Sequence, residues 1–275
     1  MNRIALVYQP MVESAQDLAQ SCVEAFSDRD LEWVFISSAD TEGTPVPTGL
    51  RLAVTFGGDG TILRTAHWLS GAPVPIVGVQ MGRLGFLAEL LPEDLPGALQ
   101  PYLDGDCWPD SRLMIEAEIG DGAGSGRREP RVLALNDIVV GRGQSLRTVT
   151  VDLSMDGQLL HSFRCDGLIV ATATGSTAYS FAAGGPVLAP DSSELVVTAI
   201  CPHISALHSL VVPPDVPLRL QVWTSQPAVV TVDGQVDRPL RNGEAVTVRV
   251  SESTTTFARG GTRADFYRRI LAKLG

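Results

Sequence analysis

The hydrophobic period of this chain changes at about Trp108, and that break restricts its fold more than any other feature of the sequence. Before it, short apolar runs at Arg3–Tyr8, Leu31–Ile36, Arg51–Phe56 and Ile76–Val79 alternate with segments of helical spacing. Between Val12 and Phe26, the residues Leu18, Cys22, Val23 and Phe26 share one helical face, and Pro92 to Tyr102 also reads as a helix. Buried strands alternating with helices predict a doubly wound parallel sheet. After the break, Val149, Val151, Leu153 and Met155 alternate with Thr148, Thr150, Asp152 and Ser154, the pattern of a half-buried strand. Asp156-Gly157, Asp233-Gly234 and Asn242-Gly243 are hairpin-turn signals, and Leu218–Trp223, Val229–Val232 and Ala245–Val250 continue the strands. The expected class is α/β plus β. Residues 1–105 form a doubly wound α/β domain and residues 106–258 a mainly antiparallel β-sandwich domain. Gly120 to Pro130 reads as an exposed loop. Residues 259–275 carry a helix, Arg263–Leu274, whose stripe of Phe266, Ile270, Leu271 and Leu274 packs back on the body.

Charge and residue usage then exclude whole classes of function. The net charge of −10 repels nucleic acid and anionic membranes, so neither is an expected partner. Lys273 is the only lysine, which rules out a Walker A phosphate loop and leaves Schiff-base chemistry one candidate beside the C-terminus. A bound phosphate must be met by backbone N–H groups, arginine or a metal ion. Cys22, Cys107, Cys165 and Cys201 are too far apart for a CxxC pair or a zinc pattern and read as reduced thiols in a cytoplasmic protein. No apolar run approaches a secretory or membrane-spanning segment.

The strongest chemical signal is Thr55-Phe56-Gly57-Gly58-Asp59-Gly60-Thr61, where a strand runs into glycines and then into a helical segment ending past Arg64. Glycines let the backbone approach a ligand closely, and N–H groups at a helix start point at phosphate oxygens. The bland alternative is a tight strand-to-helix turn with Asp59 as its N-cap. A carboxylate amid phosphate ligands makes chemical sense if Asp59 binds a substrate hydroxyl or takes its proton. A second segment, Asp166 to Ser180, is a strand ending in small and hydroxylated residues around Gly175. It offers hydroxyls and free N–H groups to a nucleotide, or else is a capped turn with Tyr179 as core packing. Asn136-Asp137 places two polar side chains where the strand Val132–Leu135 would otherwise continue, as in a β-bulge or Asx turn. His203 and His208 lack a third ligand at zinc spacing, so no metal ligands are assigned; His203 reads as a satisfied structural histidine.

Together these segments resemble the NAD kinase family. Gly57-Gly58-Asp59-Gly60-Thr61 is similar to its signature, shared more loosely with diacylglycerol and sphingoid-base kinases and with phosphofructokinases. Asp166 to Ser180, followed by Gly184-Gly185-Pro186, is similar to a second and more discriminating block. Gly82 to Leu87, Leu135-Asn136-Asp137, Cys201-Pro202-His203 and Val232-Asp233-Gly234-Gln235 follow in the family's order.

The resemblance implies a phosphofructokinase-like N-terminal domain. It also implies transfer of the γ-phosphoryl group of ATP to the 2′-hydroxyl of the adenosine ribose of NAD, giving NADP and ADP. It implies Asp59 as the catalytic base, Gly57, Gly58, Gly60 and Thr61 at phosphates, and magnesium carried with ATP. Asp59, Gly60, Arg64, Asn136, Asp137, Arg164, Asp166, Thr177, Ala178, Tyr179, Ala182 and Gln235 match its NAD-contacting positions. It further implies a homodimer or homotetramer. Departures from the family pattern are Asp137 in place of the usual glutamate, Ala173 in place of a proline, Cys165 where a smaller residue is common, and His208-Ser209 in place of an Arg-Pro pair. A lipid kinase shares the glycine turn but lacks the Asp166–Ser180 block. A dehydrogenase would need a GxGxxG after the first strand, which is absent.

Overall fold

A computed structural model describes residues 2–82, 85–120, 131–144, 147–203 and 207–274, with backbone alone at 269, 273 and 274. The chain forms two units, Met1–Ser111 with Thr255–Gly275, and Arg112–Thr254.

In the first unit, β1 (Arg3–Tyr8), α1 (Glu13–Ala25), β2 (Glu32–Ser37), β3 (Leu50–Gly57), α2 (Asp59–Trp68) and β4 (Ile76–Gln80) alternate as the apolar runs require. The strands pair in parallel in the order β2-β1-β3-β4. β3 is central and buried from Leu52 to Gly57, which is why it reads as a continuous apolar run. On α1 the buried face is Ala15, Ala19 and Cys22, continued by Phe26 at the C-cap, while Leu18 and Val23 are only partly buried. Small residues at 15 and 19 let the helix lie close on the sheet.

The expected helix from Pro92 to Tyr102 is instead broken into 3₁₀ turns at Pro92–Asp94 and Gly97–Leu99 and a short α3 (Gln100–Asp104). Pro96 has no N–H to give and its ring collides with the preceding turn, so a single helix cannot pass through it. α5 (Arg263–Leu274) closes the unit; Phe266 and Ile270 are buried, but Leu271 is exposed and is not part of the stripe. The side chain of Leu274 lies outside the described residues.

The unit boundaries fall inside the two long strands β5 (Trp108–Gly120) and β16 (Ala245–Arg259). Between them run β6 (Val132–Ala134), β7 (Asp137–Arg142), β8 (Val149–Met155), β9 (Gln158–Cys165), β10 (Gly167–Ala171), the short α4 (Tyr179–Ala182), β11 (Leu195–Ile200), β12 (Ser209–Val212), β13 (Leu218–Trp223), β14 (Ala228–Val232) and β15 (Val236–Leu240). One antiparallel sheet has the order β12-β11-β10-β7-β14-β15; facing it, β16, β13, β8 and β9 pair in succession, and β5 pairs with β16 and β6. Alternate residues of both sheets fill one core, including Val151 and Leu220 from one face and Val140 and Val170 from the other. This is the expected β-sandwich.

Asp156-Gly157 and Asp233-Gly234 have positive φ at both positions and turn the β8–β9 and β14–β15 hairpins. Asn242-Gly243 does not make a hairpin: β15 belongs to one sheet and β16 to the other, and the turn carries the chain across. The Gly120–Pro130 loop lies, from residue 121, outside the described residues.

Candidate active site

Gly57 ends β3 and Gly58 is the N-cap of α2, so Asp59 is the first helical residue and makes no capping hydrogen bond. Its carboxylate turns instead to the segment after β4: Oδ2 accepts the Phe86 N–H at 2.8 Å and Oδ1 the Leu87 N–H at 3.2 Å. That overturns the N-cap alternative for Asp59. Two glycines are required for packing reasons. A Cβ on Gly57 would stand 2.2 Å from Thr61 Oγ1, and one on Gly85 would stand 2.0 Å from Asp59 Oδ1.

Thr61 is buried beneath the turn, and its N–H bonds to the Gly58 carbonyl at 2.9 Å. The N–H groups of Gly58 and Asp59 find no acceptor among the described residues, leaving a helix start able to take an anion. One turn along α2, the half-buried Arg64 has no ion pair or hydrogen bond among the described residues. Gly82 and Gly85 to Leu87 of their block are described; Arg83 and Leu84 lie outside the described residues.

In the second unit a pocket of about 620 Å³ is lined by Asn136, Asp137, Arg142, Asp166, Ala178, Tyr179 and Asp233, among others. The polar pair stands here because the chain changes sheets between β6 and β7. Asp233 holds that crossing: its carboxylate accepts the N–H groups of Leu135, Asn136 and Asp137 at 2.8, 2.8 and 2.9 Å. From the other side the Asp166–Ser180 segment clamps it. Thr172 Oγ1 donates to the Leu135 carbonyl at 2.6 Å, and a Cβ on Gly175 would stand 2.0 Å from the Asn136 oxygen.

Asp137 is almost fully buried, with no hydrogen bond to its carboxyl group among the described residues. Burial, and secondarily the Asp233 charge, push it up to about 7. Across the pocket Arg142 Nε pairs with Asp166 Oδ1 at 3.2 Å. Tyr179 is half-exposed on the pocket wall, so it is not core packing.

Of the site residues expected from sequence, Asn136, Asp137, Asp166, Ala178 and Tyr179 meet around this pocket, and Asp59, Gly60 and Arg64 share the glycine turn and α2. Arg164 is exposed on β9, Thr177 is buried with its hydroxyl on the Thr174 carbonyl, Ala182 is exposed, and Gln235 follows the β14–β15 turn. Asp233 was missed because Asp-Gly reads as a turn signal. His203 is exposed, with its backbone N–H on the Arg164 carbonyl, and is not a core histidine. Cys165 is an inert core residue whose burial pushes its thiol up to about 12.

Comparison with known proteins decides the family. The family model described as the ATP-NAD kinase N-terminal domain matches residues 40–107, and that of the ATP-NAD kinase C-terminal domain matches residues 135–260. An NAD kinase from Dehalococcoides mccartyi is 37% identical over 273 residues, covering 99% of this chain and 95% of its own.

The chain belongs to the NAD kinase family.

An NAD kinase from Chloroflexus aurantiacus is 32% identical over 275 residues, covering 100% of this chain and 99% of its own. Among solved structures, an NAD kinase from Archaeoglobus fulgidus in complex with ATP superposes with a TM-score of 0.79 at 29% identity, covering 98% of each chain. Yeast NADH kinase complexed with NADH shares the fold, with a TM-score of 0.86 at 23% identity over 100% of this chain and 88% of its own. As an NAD kinase the chain is a phosphotransferase, passing the γ-phosphoryl group of ATP to the 2′-hydroxyl of the adenosine ribose of NAD to give NADP and ADP. Among the described residues no helix is long and apolar enough to cross a membrane.

Proposed function

We propose that Asp59 is the base of this transfer, orienting the ribose 2′-hydroxyl and accepting its proton as the phosphoryl group arrives. The observation that carries this is the orientation of its carboxylate. Two backbone N–H groups fix it at the start of α2, beside glycines that keep the approach open. Phosphates are met by the backbone of Gly57, Gly58 and Gly60, with Thr61 shaping the turn from below. Residues 1–105 thus serve the phosphates, residues 106–258 serve NAD, and residues 259–275 return to the first of these.

Around the second unit's pocket, Asp137, Asp166 and Asp233 face a single Arg142, an acceptor-rich wall. Such a wall suits the hydroxyl and amino donors of a nucleoside better than its phosphates. Asn136 and Asp137 take the adenosine portion of NAD, and Thr177, Ala178, Tyr179 and Ala182 form the flanking wall. Arg64, Arg164, Asp166 and Gln235 make the outer contacts.

Magnesium fits as an ion delivered by ATP. Among the described residues no group of three His, Cys, Asp or Glu side chains is placed to hold a metal ion, and the turn supplies one carboxylate, Asp59, already bonded to two N–H groups. When bound, the ion neutralises triphosphate charge. The enzyme acts in the cytoplasm as a homodimer or homotetramer; a fully active monomer in sedimentation contradicts that state. Asp59→Asn tests the base directly: NAD binding persists while kcat falls about 10²–10⁴-fold. Near-normal turnover refutes it.

A further inference from the structure

Asp59 does not hold its own orientation. Its carboxylate is fixed by the N–H groups of Phe86 and Leu87, so the direction it presents depends on what immobilises those two residues. Ahead of them, the Gly85 N–H bonds to Gln80 Oε1 at 2.8 Å. Behind them, the N–H groups of Glu89 and Leu90 both bond to the Gly78 carbonyl at 2.9 Å. A further tie comes from a residue far away in sequence: Arg259, the last residue of β16, whose Nη1 donates to the Leu87 carbonyl at 2.8 Å.

Arg259 is itself built in. It is 3% exposed, its Nη1 reaches Glu89 Oε2 at 3.0 Å, its Nε reaches Asp110 Oδ2 at 3.1 Å, and its guanidinium lies 4.6 Å from the Phe257 ring centroid. Glu89 in turn accepts the N–H groups of Gly260 and Gly261 at 3.3 Å, tying the end of β16 to the same segment. A buried ion cluster adds little net stability, because desolvation offsets its attraction, but its fork geometry admits few arrangements. Here the fork spans two carboxylates, Glu89 and Asp110, and the carbonyl of Leu87, whose own N–H is one of the two Asp59 donors.

We propose that Arg259 is a positioning residue for phosphoryl transfer: by holding the Leu87 carbonyl it keeps the Phe86 and Leu87 N–H groups on Asp59 and sets the direction of the catalytic carboxylate. This rests on Asp59 being the base. A displacement of about 1 Å at a reacting group costs on the order of 10²-fold in rate, so loosening this tie acts on turnover and not on substrate affinity.

Arg259→Lys keeps the charge and loses the fork. Its kcat should fall about 10–100-fold with KM for NAD and for MgATP held within about twofold. In an Asp59→Asn background the same substitution should cause no further loss, since there is no longer a base to aim. An unchanged kcat, or an equal loss in both backgrounds, overturns the proposal; the equal loss is what a merely structural role produces. Should Arg259→Lys not fold, Asp110→Asn, which weakens the hold on the guanidinium at Nε, is put through the same comparison with the same outcomes. Near-normal turnover in Asp59→Asn alone sinks the base assignment. A crippled Asp59→Asn beside a normal Arg259→Lys sinks only the role of Arg259.

Discussion

Asp137 and Asp233 place two carboxyl groups on one pocket wall, and among the described residues only Asp233 is satisfied, by three backbone N–H groups. Asp137 therefore bears the electrostatic cost of the pair, and burial with the neighbouring charge pushes it up to about 7.

The sign of the stability effect follows. Between its unfolded value near 3.9 and about 7, the folded state holds a proton on Asp137 that the unfolded chain has released. Stability from this group is full at the acid end and is lost as pH rises through about 7. Asp137→Asn should raise the melting temperature by roughly 5 °C at pH 8 and by much less at pH 5. A difference independent of pH in thermal scans contradicts this.

Affinity should run the other way. Donors on the nucleoside favour the ionised carboxylate, so KM for NAD should fall between pH 6 and pH 8. Asp137→Asn should flatten that slope. Asp166, Arg142 and Tyr179 also face the pocket, so the slope is to be compared with an Asp137→Asn control at each pH.

Gly85 and Gly175 are both crowded, but against different parts of the machinery. A Cβ on Gly85 meets the Asp59 carboxylate and one on Gly175 meets the Asn136 backbone. Gly85→Ala should lower kcat about tenfold or more at near-normal stability. Gly175→Ala should raise KM for NAD and destabilise by about 1–3 kcal/mol, since backbone yields less readily than a side chain. Steady-state kinetics with denaturant melts separate the two; interchanged effects contradict the division of labour.

Tyr179 is half-exposed on the pocket wall, whereas Tyr102 is buried and its hydroxyl accepts the Gly260 N–H. Tyr179→Ala should raise KM for NAD about tenfold and change stability by less than about 1 kcal/mol. An unchanged KM removes Tyr179 from the NAD wall.

Much of this was legible from residue order because it rests on local chemistry. The period change near Trp108 falls close to the Ser111 boundary of the two units, and Asp156-Gly157 made its hairpin since both residues tolerate positive φ. Asn242-Gly243 carries the same local signal, yet which sheet a strand joins is decided by partners distant in sequence, and no turn residue encodes that. Between Pro92 and Tyr102 the apolar spacing was right, but one proline outweighed it.

At the site, the glycine turn and Asp59 announce themselves, because strand, glycines and helix start are adjacent. Arg259 does not: it meets Leu87 across 172 positions, and an arginine closing a strand has no local mark of its role. Asp233 was hidden in a different way, since the same Asp-Gly pair serves both the turn and the clamp on Asn136 and Asp137.

The most direct measurement is a coupled assay of the purified enzyme and its Asp59→Asn variant with NAD and MgATP, reading NADP through an NADP-specific dehydrogenase. NADP should form with the native chain and at about 10²–10⁴-fold lower kcat with the variant, NAD binding being retained. Equal NADP formation by both proteins would contradict a carboxylate base at position 59.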